Sequence, residues 1–388
     1  MLSQYFAHAH LGPMDSKPPL AVSAVSSGHS VTVRSDMSVS ASKPSPTLTE
    51  LLPPSYQPAA VSSAEKTSIP RTLQESLDFQ DLELMMYWST TTYRSLTRDQ
   101  AAEALWQITI PQLSLQFPSL RHGLLALSAL QLARDRPACA QNGRTYLVRA
   151  REHYRLALAG IQLDSTENLT VVQCNAVFAL CAVLLAYIFA HGLILIDPIP
   201  GPTATEESQP RTLDEFLQVS NLTRQVMDTM MEVVDRVAEG DLHSLVALDH
   251  SRPRMPDISQ LLILGLRHRN ALEAERNPAH EKDIYDQTLR QLHLSLERLM
   301  SGSEPRDFAF CWPCQTPLRF DDLVQQREPF ALIVLAHYAV ILHHLHNLWW
   351  IRDWGTRILH EILDSVDAEW HELMRWPIDA TGCVWPER

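Results

Sequence analysis

Apolar residues recur at helical spacing along most of the chain beyond residue 76. The clearest example is YLVRAREHYRLALAGI (146–161), in which apolar and aromatic residues return at i, i+4, i+7, i+8, i+11, i+12 and i+15. Twelve glycines in 388 residues are few for a protein rich in tight turns, which argues against a β-rich or Rossmann-type fold. The pattern predicts an all-α fold with helices over 76–96, 117–135, 146–161, 169–196, 212–239, 256–275, 283–300 and 329–376.

Local signals refine the ends and faces of these helices. Pro118 is suited to the first turn of a helix. Thr212 and Glu215 have the spacing of a capping box, which predicts a helix start there, and Gly240 predicts its end. In the first helix, the spacing predicts one apolar stripe made of Leu82, Met85, Met86, Tyr93 and Leu96.

Residues 169–196 form an apolar stretch with no charged side chain over 28 residues. A stretch of this length is long enough to cross a bilayer. Gln173, Asn175 and His191 interrupt it, and positive residues do not flank it closely. We predict a buried central helix and no membrane span, with membrane anchoring as the alternative.

The N-terminal part of the chain differs in composition from the rest. Residues 1–70 contain fifteen serines and nine prolines, and such a segment buries too little apolar surface to offset the entropy of ordering. The sequence therefore predicts a disordered tail over 1–75 and one helical domain over 76–388. The first twenty residues lack a basic segment followed by an apolar core, so no secretory signal is expected.

The charge of the chain bears on its partners. Its formal net charge is −13, and it contains four lysines and no run of basic residues. Binding along the phosphates of nucleic acid requires clustered lysine and arginine. Direct, specific DNA binding by this chain is therefore not expected.

Histidines and cysteines are the obvious candidates for a metal site. His337, His343, His344 and His346 lie close together, but no acidic residue or cysteine within that helix completes a site. The lone Cys311-Trp-Pro-Cys314 pair lies in a proline-rich region, where two thiols in a turn are a simpler interpretation than a redox or zinc motif. Nucleophile, phosphate-loop and dinucleotide motifs are missing. We predict no metal, no cofactor and no enzyme activity.

Tryptophan is concentrated near the C-terminus, where six of the nine residues fall within the last forty positions. Indoles bury a large apolar area while their N–H group still requires a partner. The pattern is typical of helices packed on a core. It is also compatible with an aromatic-lined pocket for a flat, lipid-like ligand, or with a base-stacking surface, which the shortage of nearby basic residues disfavours.

Three parts of the chain resemble the C-terminal regulatory domain of fungal Zn(II)2Cys6 transcription factors, in particular the branch of sterol uptake control proteins. The first is DLELMMYWSTTTYRSL (81–96) with the segment 105–134, and the second is YLVRAREHYRLALAGI (146–161). The third and most specific is the segment 327–377, which contains HYAVILHHLHNLWWIRDWG and ends its helix in a W-x-x-x-W-G turn. The resemblance covers roughly residues 78–385.

This resemblance implies an all-helical domain that binds a sterol or another apolar small molecule in a cavity and forms dimers. It also implies that ligand occupancy controls movement from the cytoplasm to the nucleus. The chain departs from the family in two ways: residues 1–138 contain no cysteine and so no zinc cluster, and Asp353 stands where the family often has glycine. Within the third segment we predict ligand contacts from Tyr338, Leu342, Trp349, Trp350, Trp354 and Gly355.

The leading functional hypothesis is a transcription regulator or co-regulator that acts through a helical ligand-sensing or dimerisation domain, with a fungal metabolic gene cluster as its candidate target. Its partner would be a second copy or a zinc-cluster transcription factor, and its location the nucleus. The alternative hypothesis is a soluble lipid- or sterol-binding protein that takes no part in transcription.

Overall fold

A computed structural model describes residues 79–136, 140–159, 168–198, 211–247 and 257–385. All regular secondary structure in these ranges is helical, which confirms the all-α prediction. The predicted tail over 1–75 lies outside the described residues.

The N-terminal part of the fold contains shorter helices followed by a long central pair. The helices are α1 Phe79–Thr90, α2 Gln100–Ala104, α3 Ile110–Ser114, α4 Pro118–Asp135, α5 Ala140–Ala159, α6 Val171–Ile196, α7 Thr212–Val237 and α8 His243–Val246, with a π-helical turn at Leu105–Thr109 between α2 and α3. Helices α4 and α5 pack along each other, α4 also contacts α1 and α6, and α6 packs along α7, so α6 and α7 form the central pair.

The C-terminal part of the fold is built around one apolar helix. The helices here are α9 Asp257–Arg276, α10 Lys282–Met300, α11 Cys311–Gln315, α12 Leu318–Gln325, α13 Pro329–His343, α14 Trp354–Ser365 and α15 His371–Thr381. The apolar helix is α13, which α10, α14 and α15 all contact, and α9 pairs with α10.

Helix α6 lies at the centre of the fold. It has the length and apolar composition of a membrane-spanning helix, and among the described helices it alone meets both conditions. Most of its side chains are buried against α4 and α7. This is the environment of a core helix, whose apolar faces are covered on all sides by protein.

The capping box lies at α6 and not at the position predicted from the sequence. The Gln173 backbone N–H donates to Thr170 Oγ1 at 3.3 Å, and the Thr170 backbone N–H donates to Gln173 Oε1 at 2.8 Å. The prediction of a box at Thr212 was wrong, because Arg211 precedes the first turn of α7 without a side-chain cap and Glu215 is buried. The predicted stop at Gly240 agrees with an α7 end at Val237.

Helix α1 has the predicted period but presents a different face to the core. Leu84 and Trp88 are buried against the rest of the fold, and the Trp88 indole N–H donates to the Trp106 carbonyl at 2.9 Å. Leu82 and Met86, which were predicted to face the core, are 44% and 69% exposed. The helix turns the face that carries the large indole inward, since tryptophan buries more area than leucine or methionine.

Candidate ligand-binding cavity

A cavity of about 190 Å³ opens beside the centre of the fold, between α6, α7, α8 and the segment before α11. Its walls are mainly apolar, and charged side chains lie at one part of it. The lining consists of Ser95, Leu96, Arg98, Trp106, Phe178, Ala182, Leu185, Met227, Met230, Met231, Val234, Leu245, Val246, Arg306, Asp307, Phe310, Cys311 and Trp350.

Two long helices supply most of the apolar wall. On α6, Phe178, Ala182 and Leu185 are spaced i, i+4, i+7 and therefore share one helix face. On α7, Met227 and Met230 are three residues apart and also share a face. Methionine has an unbranched, polarizable side chain that adapts to irregular shapes, so this wall can follow the outline of different apolar ligands.

Aromatic side chains close the inner part of the cavity. The rings of Phe310 and Trp350 are stacked with centroids 5.6 Å apart, and Phe189 meets Trp350 edge-on at 6.3 Å. Trp350 is 4% exposed, and its indole N–H finds no hydrogen-bond partner among the described residues. The wall therefore contains a buried donor whose hydrogen-bonding capacity is unused.

Arginines tie together the three segments that form the charged part of the cavity. Arg98 donates to Asp307 at 2.7 Å and to the Ser244 carbonyl at 2.8 Å. Arg306 donates to the Thr97 carbonyl at 2.5 Å. These contacts join the region after α1, helix α8 and the turn before α11, so they fix the three segments to one another at this edge of the cavity.

Of the six predicted ligand contacts, Trp350 lies on the wall of this cavity. Tyr338 and Leu342 are buried in α13, where the Tyr338 hydroxyl donates to the Ala309 carbonyl at 2.9 Å and its ring stacks on Trp312 with centroids 4.2 Å apart. The Tyr338 side chain thus holds α13 against Ala309 and the start of α11, and Leu342 belongs to the buried core.

The other three predicted residues surround the start of α14. The Trp354 indole donates to the Phe189 carbonyl at 3.1 Å, and Gly355 lies against the backbone of α13. Trp349 is half-buried, with the Arg134 guanidinium 4.9 Å from its ring centroid. In this arrangement all three belong to the packing around the cavity.

Asp353, the residue that departs from the family pattern, adopts a φ of −108°, which any amino acid can take. Its carboxylate accepts hydrogen bonds from Arg357 at 2.6 Å and Arg352 at 3.1 Å. These contacts lower the pKa of Asp353 even though burial opposes the shift. A glycine is not required at this turn, and the aspartate stabilises it.

The histidines of the same segment are hydrogen-bonded to backbone carbonyls. His337 is buried, with Nδ1 at 2.8 Å from the Ile333 carbonyl, and burial lowers its pKa to about 4. His344 and His346 are exposed, and their Nδ1 atoms lie near carbonyls of α13. Among the described residues, no group of three or more histidine, cysteine or acidic side chains is arranged to hold a metal.

The two thiols of the C-x-x-C pair lie in a short helix, α11, where the sequence predicted a turn. Both are free, and burial raises the pKa of Cys311 to about 12 and that of Cys314 well above its usual range. Since the thiolate is the reactive form, these groups are protonated at neutral pH and act as packing side chains.

Glu215 carries a buried carboxyl group near the start of α7, one of the helices that line the cavity. It is 3% exposed and lies beside Gly192, where an added Cβ would be 3.4 Å from its Oε1. Burial raises its pKa from the ordinary 4.5 to about 7. The folded protein therefore releases the Glu215 proton later than the unfolded chain as the pH rises.

We expect Glu215→Gln to stabilise the protein in a pH-dependent way. A raised folded-state pKa contributes stability below pH 4.5 that is lost as the pH rises to about 7. The difference between the two pKa values corresponds to roughly 3 kcal/mol of stability. The free energy of unfolding of the variant should therefore equal that of the parent near pH 4.5 and exceed it by up to that amount at pH 8. Urea unfolding at several pH values measures this, with the exposed Glu239→Gln as control. A difference that does not vary with pH would contradict the assignment.

Comparison with known proteins adds one relative. No protein-family model matches the chain, and no solved structure matches it. A Zn(2)-C6 fungal-type transcription factor of Gibberella zeae is 24% identical over 331 residues, which cover 80% of this chain and 64% of that protein. The chain thus spans somewhat less than two thirds of its relative's length. The chain is thus similar to a fungal Zn(2)-C6 transcription factor over most of its own length.

Proposed function

We propose that this chain regulates transcription in a fungus through a helical domain that senses a small apolar molecule. The observation that carries the proposal is the similarity to a Zn(2)-C6 transcription factor over 331 residues, which cover 80% of this chain. The cavity beside α6 and α7, with its methionine and aromatic walls, supplies a place for the molecule. The domain is regulatory and not catalytic.

The charge of the chain supports an indirect route to DNA. With a net charge of −13 and four lysines, the chain lacks the clustered positive charge that phosphate contacts require. In our proposal, DNA contact comes from a zinc-cluster partner, and the domain acts as a homodimer or as a complex with that partner. Its site of action is the nucleus, with shuttling from the cytoplasm governed by the ligand.

The size of the cavity bears on the sterol expectation. Pockets for drug-sized ligands occupy about 300–1,000 Å³, whereas this cavity has about 190 Å³. The cavity by itself encloses a smaller apolar ligand or part of a larger one. A whole sterol remains a proposal that requires more space than this cavity provides.

A reporter assay tests the regulatory role. We expect the full chain, fused to a bacterial DNA-binding domain in yeast, to change expression of a reporter gene several-fold relative to the DNA-binding domain alone. In the same cells, the chain that carries a fluorescent tag and no added DNA-binding domain should be found in the nucleus. The control is the Arg224→Met variant, which is expected to be less stable and should therefore show a smaller effect on the reporter.

A second candidate function is a lipid-binding protein with no part in transcription, which the apolar cavity by itself would also support. In that case the reporter level would equal that of the DNA-binding domain alone, with or without a zinc-cluster partner. Native mass spectrometry of the purified chain would still report a bound apolar molecule. That combination of results would contradict the regulatory proposal and favour the alternative.

A further inference from the structure

We propose that the cavity binds an amphiphile with a carboxylate head and a medium-length apolar chain, with the Arg306 guanidinium holding the head and the wall of α6 and α7 covering the chain. The inference rests on the proposed function, since it takes the cavity as the sensing site. It adds the chemical class of the ligand, which the proposed function leaves as small and apolar.

The charges of the lining leave one cation uncompensated. Arg98, Arg306 and Asp307 are the charged side chains among the described residues that line the cavity. Arg98 and Asp307 form an ion pair at 2.7 Å, so their charges cancel locally. Arg306 is therefore the net positive charge of a lining that is otherwise mainly apolar. Such a lining favours a ligand with an apolar body and a negative group over one with an ammonium group.

Arg306 also has a nitrogen that a ligand can reach. Its Nη1 donates to the Thr97 carbonyl at 2.5 Å, whereas Nη2 makes no hydrogen bond to any described residue. Nη2 is not enclosed, because the buried polar atoms without a partner include Nε of this residue but not Nη2. Hydrogen bonds between a guanidinium and a carboxylate are among the strongest in proteins. A ligand carboxylate at Nη2 would thus use a donor that the fold leaves free.

Glu304 competes only weakly for this guanidinium. Its carboxylate lies 3.3 Å from the Arg306 Nε, but it does not line the cavity. The Glu304 side chain is 42% exposed, so water screens the ion pair. Enough of the positive charge of Arg306 therefore remains to attract an anionic head.

The cavity is half open, and its charged edge lies nearer to solvent than its apolar wall. The Arg306 side chain is 27% exposed, whereas Phe178 and Leu185 on α6 are 8% and 6% exposed. A carboxylate at Arg306 can keep part of its hydration while the chain leaves water along α6 and α7. This orientation limits the desolvation cost of the charge and retains the gain from apolar burial.

The volume sets the length of the chain. An engineered apolar cavity of about 150 Å³ binds benzene, and the present cavity has about 190 Å³. In proportion, it accommodates roughly eight carbon atoms, and a longer chain would extend through the open side. Met227, Met230 and Met231 are unbranched and adaptable, which suits a flexible alkyl chain.

The test compares three probes of similar length on the full-length chain by isothermal titration calorimetry near neutral pH: octanoate, octan-1-ol and octylamine. A partly exposed ion pair corresponds to about two- to fivefold in affinity. Octanoate should therefore bind more tightly than octanol by that factor, and octylamine should bind most weakly because its ammonium group meets Arg306. Added salt should reduce the advantage of octanoate, since it screens the ion pair.

Variants of Arg306 assign the effect to this side chain. Arg306→Met removes the charge and should abolish the advantage of octanoate, while the affinity for octanol changes less than about twofold. Arg306→Lys keeps the charge and should keep part of the advantage. The matched control Arg290→Met removes an exposed arginine of α10 that does not line the cavity, and it should leave all three affinities unchanged.

Equal binding of octanoate and octanol by the parent protein, or an advantage of octanoate that survives in Arg306→Met, would overturn the assignment of the head group. If Arg306→Met fails to fold, the comparison of probes on the parent protein and on Arg306→Lys decides the matter. Failure of every probe to bind would overturn the whole inference. The reporter assay judges the regulatory role independently of these results.

Discussion

Replacing Gly355 with alanine is expected to lower the free energy of unfolding by about 3 kcal/mol, the upper part of the usual range for overpacking. The reason is the contact between α13 and α14. A Cβ at Gly355 would lie 2.5 Å from the Ala339 carbonyl oxygen and 2.7 Å from the His343 backbone nitrogen. Both neighbours are backbone atoms of a buried helix, so neither can rotate away, and the two helices must separate.

The matched control for this substitution is Gly265→Ala on the exposed side of α9. An added Cβ there meets nothing within 4 Å. Alanine is a better helix former than glycine by about 1 kcal/mol, so the same chemical change should stabilise the protein at this site. Urea unfolding of both variants measures the two effects. A loss of less than about 1 kcal/mol at Gly355 would mean that α13 and α14 do not touch through their backbones, since overpacking normally costs more.

Replacing Arg224 with methionine is expected to destabilise the protein by about 3–5 kcal/mol, the range for removing one partner of a buried ion pair. Arg224 is 9% exposed and forms a two-point ion pair with Asp321 on α12. Its guanidinium also donates to the Pro313 carbonyl at 2.6 Å and to Thr316 Oγ1 at 3.1 Å. Loss of these bonds leaves the partly buried Asp321 carboxylate, the Pro313 carbonyl and the Thr316 hydroxyl without this donor.

The effect should extend to the cavity. Arg224 is on α7 and binds the Pro313 carbonyl of α11. Cys311, the first residue of α11, and its neighbour Phe310 line the cavity, as does Met227 of α7. The double variant Arg224→Met, Asp321→Leu removes both charges and should regain a large part of the lost stability. Equal stability of the single and double variants would show that Asp321 does not depend on Arg224, contrary to the observed pairing.

The sequence did not predict the wall that α6 contributes to the cavity, and the composition of α6 explains why. Phe178, Ala182 and Leu185 stand on one face of α6, but they are embedded in a charge-free helix whose other faces are equally apolar. Periodicity distinguishes apolar from polar faces and carries no information when every face is apolar. The methionines of α7 were a usable signal, because Met227, Met230 and Met231 are an unusual concentration of adaptable side chains.

The tryptophans illustrate a related limit. The sequence correctly singled out the C-terminal indoles as a group, but Trp350 and Trp354, four residues apart, have different environments. Trp354 donates to the Phe189 carbonyl, whereas the Trp350 N–H finds no partner among the described residues. The partner of Trp354 lies 165 residues away along the chain. No local pattern reveals which indole a distant carbonyl will reach.

The sequence by itself determined the helical nature of the chain, the positions of most helices and the central place of the charge-free helix α6, because these depend on the periodicity of side chains along one segment. The tertiary structure alone decided which face of α1 turns inward and which acidic residue of the α7 start is buried. It also decided which aromatic side chains enclose space and which fill it. These outcomes depend on contacts between helices, including α1 with α4, α6 with α7 and α13 with α14. The packing of such helices selects among faces that are equally apolar in sequence.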